Sequence, residues 1–147
     1  LEGYDSVRHA FYAFRKGEQA RGGVEKKAFY PALAAFLRRM HGRGAMFRDL
    51  SAGNVLFKSD AQGRPSFALI DTTRARFWNH GLPLHRRLED LKRICHPLPW
   101  SERELFLAEY MGKLVDEKTG RPFTPWMRLP FIAYDMKHRL KGFLKGR

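Results

Sequence analysis

One short β-hairpin interrupts an otherwise helical pattern, and its position along the chain limits the folds that this sequence can adopt. The runs at 54–57 and 66–70 are apolar and rich in β-favouring residues, and a turn-forming segment at 60–65 separates them. The hairpin directly follows a polar loop at 47–54, which itself follows a long helical pattern. The sequence therefore predicts a mainly α (α+β) fold in which helices surround one small hairpin.

Elsewhere in the chain, apolar residues recur at helical spacing. The predicted helices span 4–15, 29–40, 86–95, 101–111 and 125–142. One stripe on the second of these is assigned to the core: Phe29, Leu33, Phe36, Leu37 and Met40. Ser101 and Glu104 have the spacing of a capping box, and Thr124 is the predicted N-cap of the last helix. Residues 112–123 are polar and are predicted to form a loop.

The composition indicates one basic domain. The chain has 147 residues and 44% hydrophobic side chains, which is enough to bury a core. Its 28 Lys and Arg residues outnumber 15 Asp and Glu residues, so the formal charge is +13. Such a charge favours phosphorylated ligands, an anionic membrane face or nucleic acid as partners. The aromatic residues mostly occupy core-periodic positions, which argues against nucleic acid as the partner.

The cysteine and histidine residues lack the spacing of a disulfide framework or a metal site. Cys95 is the only cysteine and is predicted to be a small core residue. Surface or helix-end positions are expected for all six histidines: His9, His41, His80, His85, His96 and His138. The sequence also lacks a signal peptide and any run of roughly 20 apolar residues. A soluble protein of the cytoplasm is therefore expected.

Three polar side chains around the hairpin have the properties of a phosphoryl-transfer site. Asp49 and Asn54 lie five positions apart in the loop before the first strand, and Asp71 follows the second strand. Phosphoryl transfer requires a carboxylate that accepts the proton of the attacking hydroxyl, and oxygen ligands that hold Mg²⁺ on the nucleotide phosphates. We therefore expect the three side chains to project into one cleft at the mouth of the hairpin.

These residues also carry a family resemblance. The motifs that carry it are R-D-L-S-A-G-N at 48–54, L-I-D at 69–71 and E-D-L-K-R at 89–93. The first two resemble the catalytic loop and the metal-binding segment of the protein-kinase-like superfamily. Together, the motifs are similar to those of bacterial lipopolysaccharide core kinases, which phosphorylate heptose or Kdo sugars of the inner core. The resemblance covers roughly 29–110 and implies the large, C-terminal lobe of such a kinase.

On this resemblance, Asp49 would be the catalytic base, and Asn54 and Asp71 would be the ligands of Mg²⁺. ATP would be the phosphate donor, and a sugar of the lipopolysaccharide core or another small hydroxyl compound would be the acceptor.

The resemblance also implies supporting residues. Asp90 is similar to the buried carboxylate that braces the catalytic loop in kinase large lobes, and Arg48 would support the same loop. Arg74 and Arg76 follow the proposed metal ligand and are candidates for contacts with phosphate on the donor or the acceptor.

Several positions depart from the superfamily pattern. Phe47 replaces the loop histidine, Thr72 and Thr73 replace Phe-Gly, and Ser51 replaces a lysine that is common in Ser/Thr protein kinases. These changes make phosphorylation of peptides less favourable than that of a small acceptor. The sequence also lacks a Gly-rich phosphate loop and a strand lysine, so the small lobe is absent. Residues 1–147, which start at Leu1 rather than Met, are therefore expected to be a single large-lobe domain of a longer chain.

Two other functions fit part of the sequence. One is an aminoglycoside- or choline-type phosphotransferase, although Arg48 stands where those enzymes typically have Gly. The other is a non-catalytic basic binding module, such as a degenerate kinase lobe. The cationic and apolar run at 136–147 also suits peripheral contact with an anionic membrane, here the inner membrane. The sequence does not indicate an oligomeric state.

Overall fold

The computed structural model describes residues 3–112 and 125–145. Within these ranges the elements are β1 (Asp5–Ser6), α1 (Val7–Arg15), α2 (Lys26–Gly42), β2 (Ala45–Met46), β3 (Val55–Ser59), β4 (Pro65–Leu69), β5 (Arg76–Phe77), α3 (Leu84–Cys95), α4 (Trp100–Met111), a 3₁₀ turn (Pro125–Arg128) and α5 (Leu129–Lys145). The fold is α+β and mainly helical, as the sequence predicts. One antiparallel sheet has the strand order β1-β3-β4, and β2 pairs with β5 in a second sheet.

Strands β3 and β4 form the predicted hairpin. At its open end Val55 lies opposite Leu69. At its closed end the Asp60 carboxylate accepts a hydrogen bond from the backbone amide of Arg64 (2.9 Å), and Gly63 adopts a positive φ of 76°. The turn and the pairing together fix the register. The register in turn determines which residues meet at the open end, where the candidate site lies.

Helix α2 is the centre of the core and packs against both β4 and α4. Its predicted stripe is buried, except that Met40 is only partly buried. The ring of Phe29 makes edge contacts with five other rings, those of Phe11, Phe14, Tyr30, Phe57 and Phe67. Cys95 is fully buried, as predicted, and burial raises the pKa of its thiol to about 12. The hairpin is therefore anchored to the helices through an aromatic cluster.

The capping box predicted at Ser101 is wrong. Helix α4 begins one residue earlier, at Trp100, and Pro99 is its N-cap. The fixed φ of proline suits this boundary, and the amides of Glu102 and the next residue donate to the Pro99 carbonyl. The carboxylate of Glu102 accepts a hydrogen bond from Lys26 Nζ (3.0 Å). Ser101 is therefore already inside the helix, where it has no capping role.

The first helix also starts later than predicted, at Val7 rather than Tyr4. Asp5 and Ser6 pair with β3, and the Ser6 hydroxyl accepts a hydrogen bond from the amide of His9 (3.2 Å). A two-residue strand has too few positions to show a period, so the sequence pattern did not reveal β1, β2 or β5.

The structure does not test two of the predictions made for the second half of the chain. Apart from Gly112, the loop predicted at 112–123 and the N-cap predicted at Thr124 lie outside the described residues. The final predicted helix is present as α5, which begins at Leu129 after the 3₁₀ turn. None of the helices in the described ranges has the length and apolarity needed to cross a membrane.

An ion pair between a buried arginine and a half-buried aspartate attaches α5 to the domain. The guanidinium of Arg103 is 4% exposed and donates to both carboxylate oxygens of Asp135 (2.7 and 3.1 Å). The His96 ring lies 2.7 Å from the same carboxylate. Burial raises the pKa of Asp135, but the bonds from Arg103 and His96 outweigh this effect and hold the pKa below its ordinary value. The pair is therefore a charged attachment point for α5.

We expect Asp135→Asn to lower the free energy of unfolding by about 2 kcal/mol, because it leaves the buried guanidinium without a carboxylate. The contribution of Asp135 to the free energy of unfolding is fully present above the pKa of about 4 that this carboxyl has in the unfolded chain. It is lost as the pH falls through the pKa of the folded state, which is lower. Urea unfolding at neutral and acidic pH measures both effects. The control is Glu104→Gln, which removes a carboxylate from an exposed ion pair with Arg128. Equal losses in the two variants at neutral pH would contradict the prediction.

Candidate active site

The open end of the hairpin brings two of the predicted site residues together. Asn54 immediately precedes β3, and Asp71 comes two residues after the end of β4. The amide of Ile70 donates to the carbonyl of Asn54 (2.9 Å), which continues the strand pairing by one step. Ile70 therefore lies opposite Asn54, and Asp71 is the next residue along the chain.

Asp49 is linked to Asn54 by a side-chain hydrogen bond. Asn54 Nδ2 donates to the backbone carbonyl of Asp49 (3.0 Å), so the Oδ1 atom is the part of that amide available for a ligand. Arg74 Nη1 donates to Asp49 Oδ1 (3.1 Å). Asp71 is exposed and accepts a hydrogen bond from the Thr73 hydroxyl (3.0 Å). Direct bonds thus join Asp49 to Asn54 and Arg74, while Asp71 is placed by the strand pairing.

Two residues of this region have a left-handed backbone conformation that residues other than glycine normally avoid. Arg48 has a φ of 67° and Asp71 a φ of 57°, and they are the only non-glycine residues with positive φ in the described ranges. Each such position costs roughly 1 kcal/mol or more, and it persists only where the surrounding structure holds it. Backbone strain of this kind is typical of functional sites.

The strained backbone at Arg48 is held by the buried carboxylate of Asp90. Asp90 Oδ1 accepts a hydrogen bond from the Arg48 amide (2.9 Å), and Oδ2 accepts one from the Phe47 amide (3.0 Å). Asp90 is 1% exposed and lies on α3, far from these residues in sequence. The loop segment just before Asp49 is therefore tied to the core of the helical domain.

His41 lies at the end of α2, within the predicted surface or helix-end positions, but it is not an ordinary helix-end residue because it belongs to the core. His41 is fully buried, and its Nε2 donates to Asp90 Oδ2 (2.8 Å). Its Nδ1 lies within hydrogen-bond distance of the hydroxyl of Tyr110 (2.7 Å), which accepts from Arg87 Nη1 (3.2 Å). Burial raises the pKa of Tyr110 to about 12, so the phenol keeps its proton for this bond.

Sequence periodicity does contain the signal for a buried His41. Leu33, Leu37 and His41 are spaced four residues apart, so they lie on the same face of α2. Phe47 is also buried, and its ring lies beside that of His41 (6.4 Å between centroids). An imidazole therefore does contact this region, but it comes from the end of α2.

The remaining predicted residues are three arginines, and two of them lie close to Asp49. Arg48 and Arg74 line a small cavity beside Asp49. Arg76 is exposed in β5, opposite Met46. In the described ranges its guanidinium makes no hydrogen bond or ion pair, so the structure does not join it to Asp49.

The donor atoms at the open end of the hairpin suit a hard divalent cation. Within the described residues, no group of three or more His, Cys, Asp or Glu side chains could hold a metal by itself. Mg²⁺ usually takes one or two protein ligands and completes its shell with substrate phosphates and water. The amide oxygen of Asn54 and the carboxylate of Asp71 fit that requirement. Water or a bound phosphate would supply the other ligands.

A profile of the lipopolysaccharide kinase (Kdo/WaaP) family matches residues 1–110. The chain belongs to this family. The matched region contains Asp49, Asn54, Asp71 and Asp90, and it confirms the resemblance found in the sequence. A search of curated protein sequences gives no significant match.

A solved structure described as WaaP in complex with acyl carrier protein has a similar fold. The TM-score is 0.65 and the sequence identity is 19%, over 90% of this chain. The matched part is 58% of the WaaP chain, so this sequence spans little more than half of that protein. At this level of identity the comparison supports the fold.

We expect Asp90→Asn to lower the free energy of unfolding by about 2–4 kcal/mol. The new side-chain NH₂ group would replace one carboxylate oxygen and would face a buried N–H donor that then has no acceptor. In hydrogen exchange, the amides of Phe47 and Arg48 should lose protection before the rest of the core. The control is Glu109→Gln, an exposed carboxylate on α4. Unchanged stability and unchanged exchange at these two amides would show that Asp90 does not hold the loop.

Proposed function

We propose that this protein is a kinase that transfers a phosphoryl group from ATP to a hydroxyl of a lipopolysaccharide inner-core sugar. The observation that carries the proposal is the bond between Asn54 and the Asp49 carbonyl, at the open end of a hairpin that also places Asp71. Membership of a lipopolysaccharide kinase family supports the reaction and the class of acceptor. Residues 1–147 would then form the large lobe of the kinase.

Asp49 is the proposed catalytic base. Arg74 binds its Oδ1 atom, so Oδ2 remains for the proton of the attacking hydroxyl. The Asp49 side chain is 23% exposed, which allows contact with a substrate. The backbone just before it is fixed by Asp90, so the carboxylate is held in position before the acceptor arrives.

Asn54 and Asp71 are the residues that would hold Mg²⁺. When bound, the ion would neutralise charge on the nucleotide phosphates. The bond from Asn54 Nδ2 to the Asp49 carbonyl fixes the direction of the amide, and the Thr73 hydroxyl fixes one oxygen of Asp71. Arg76, on the exposed face of β5, is available for a phosphate of the donor or acceptor.

We expect Asp49→Asn to lower kcat about 10²- to 10⁴-fold, because an amide cannot accept the hydroxyl proton. Asp71→Asn should mainly raise the KM for Mg²⁺-ATP, because it weakens the proposed metal ligand. Transfer of ³²P from ATP to core lipopolysaccharide lacking the phosphate measures both. The measurement requires the complete protein, with the exposed Glu109→Gln as control.

The acceptor is tested in the same assay with choline, an aminoglycoside and the lipopolysaccharide core as competing substrates. The proposal predicts the highest kcat/KM for the core sugar. Near wild-type turnover by Asp49→Asn would refute the role of the base. Transfer to choline or the aminoglycoside with the higher kcat/KM would refute the sugar acceptor.

Helix α5 supports peripheral contact with the anionic cytoplasmic face of the inner membrane, which this function would require. Large apolar side chains are exposed along one face of α5 at spacings of three and four residues: Leu129, Ile132, Met136, Leu140 and Phe143. Lys137 and Arg139 are exposed on either side of this stripe. An apolar stripe bordered by cations is typical of helices that lie on anionic lipid.

We expect the double variant Leu140→Gln with Phe143→Gln to bind phosphatidylglycerol vesicles at least about tenfold more weakly, because two apolar side chains that would insert into the lipid are replaced by polar ones. Cosedimentation with phosphatidylglycerol and with phosphatidylcholine vesicles measures the loss and its dependence on lipid charge. The control is Leu105→Gln, an exposed leucine on α4. Equal binding of wild type and double variant would overturn the membrane contact.

A further inference from the structure

A basic cavity lies next to the proposed catalytic base, on the side of helix α3. Its volume is ≈ 140 Å³, and its lining residues are Met46, Arg48, Arg74, Glu89, Lys92 and Arg93. A water molecule occupies about 30 Å³ in the liquid, so the cavity has room for a compact oxyanion. Four of the six lining residues are cationic. Asn54 and Asp71, the proposed metal ligands, do not line it.

Two of the cations, Arg48 and Arg93, lack a counter-charge within the described residues. Lys92 forms an ion pair with Glu89, and Arg74 binds Asp49. The guanidinium of Arg93 lies over the ring of Tyr134, 5.3 Å from its centroid. In the part of the chain that the structure describes, the guanidinium of Arg48 has no hydrogen-bond or ion-pair partner, although the residue is half-buried. An unpaired, half-buried arginine beside three other cations favours the entry of an anion.

The cavity is held in shape by the helical domain. The amide of Arg48 is fixed by Asp90, and Lys92 and Arg93 are carried by α3, the same helix as Asp90. Arg74 connects the cavity to the base, because its bond to Asp49 uses one of five N–H donors and leaves others for a ligand. The guanidinium of Arg74 would therefore lie between a group bound in the cavity and the carboxylate of Asp49.

We propose that this cavity binds an anionic group, a phosphate or a carboxylate, carried by the acceptor substrate. The inference rests on the proposed kinase function, because it assigns the acceptor side of that site. The nucleotide phosphates belong at the open end of the hairpin, with Asn54 and Asp71. The acceptor hydroxyl must reach Asp49, and an anion on the same molecule would then reach Arg48 and Lys92. The substrate class is thus an acidic saccharide, and the cavity selects it over a neutral one.

Two variants test the cavity without disturbing its frame. Arg48→Gln removes the charge but keeps the backbone amide that Asp90 binds, and Lys92→Gln removes a charge from the surface of α3. The matched control is Arg39→Gln, which removes an exposed arginine on α2. Arg48→Lys keeps the charge and should restore part of the function. All four are compared with the wild-type protein in its complete form.

The kinetic test uses two acceptors that differ only in one anionic group near the acceptor hydroxyl. Arg48→Gln and Lys92→Gln should each raise the KM for the anionic acceptor about tenfold or more. With the neutral acceptor, the change in KM should be less than about twofold. Equal losses on both acceptors would overturn the inference, because Arg48 would then act only by positioning Asp49.

Titration with inorganic phosphate tests the cavity without turnover. The two cavity variants should bind phosphate about tenfold more weakly than wild type, whereas Arg39→Gln should not differ from wild type. Equal phosphate affinity in all proteins would overturn the cavity as an anion site. If phosphate binding depends on Arg48 but anionic and neutral acceptors give the same KM in the wild type, the anion does not come from the acceptor, and the inference is wrong. Absence of transfer to any acceptor would instead refute the proposed function, and the phosphate titration would still decide whether the cavity binds anions.

Discussion

The site depends on one buried carboxylate. Asp90 accepts hydrogen bonds from the ring of His41 and from the amides of Phe47 and Arg48, so a single side chain on α3 fixes the end of α2 and the loop that follows it. These bonds compensate the desolvation of the carboxylate and hold Arg48 in its left-handed conformation. The position of Asp49 follows from them, because it is the next residue along the chain.

The other half of the site is set by strand pairing. The β3–β4 register places Asn54 beside the segment that leads to Asp71, and the aromatic cluster around Phe29 anchors the hairpin to α2. The loop and the hairpin are thus attached to the same helix from two directions. Arg74 then links Asp49 to the basic cavity on α3. Asp49 therefore lies between the proposed nucleotide side, at Asn54 and Asp71, and the proposed acceptor side, at the basic cavity.

Much of this architecture is local in sequence, and that part could be predicted. The hairpin, the core stripe of α2 and the loop motif at 48–54 each depend on residues within a few positions of one another. The pairings of β1, β2 and β5 could not be predicted, because two-residue strands carry no periodic signal. The spacing of Ser101 and Glu104 does not predict the helix boundary, because Pro99 is the N-cap and Ser101 lies inside α4. The absence of metal-ligand spacing among the histidines does not predict the burial of His41, although the four-residue spacing with Leu37 puts it on the core face. The roles of Asp49, Asn54 and Asp71 in the reaction remain proposals.

The most direct test of the central claim is a structure of the complete protein with Mg²⁺ and a non-hydrolysable ATP analogue. The account predicts that Asn54 Oδ1 and the Asp71 carboxylate coordinate the metal at about 2.0–2.1 Å. It also predicts that Asp49 stays off the metal, with Oδ2 open toward the acceptor side. A metal bound by other residues, or a nucleotide whose phosphates occupy the basic cavity of Arg48 and Lys92, would contradict it.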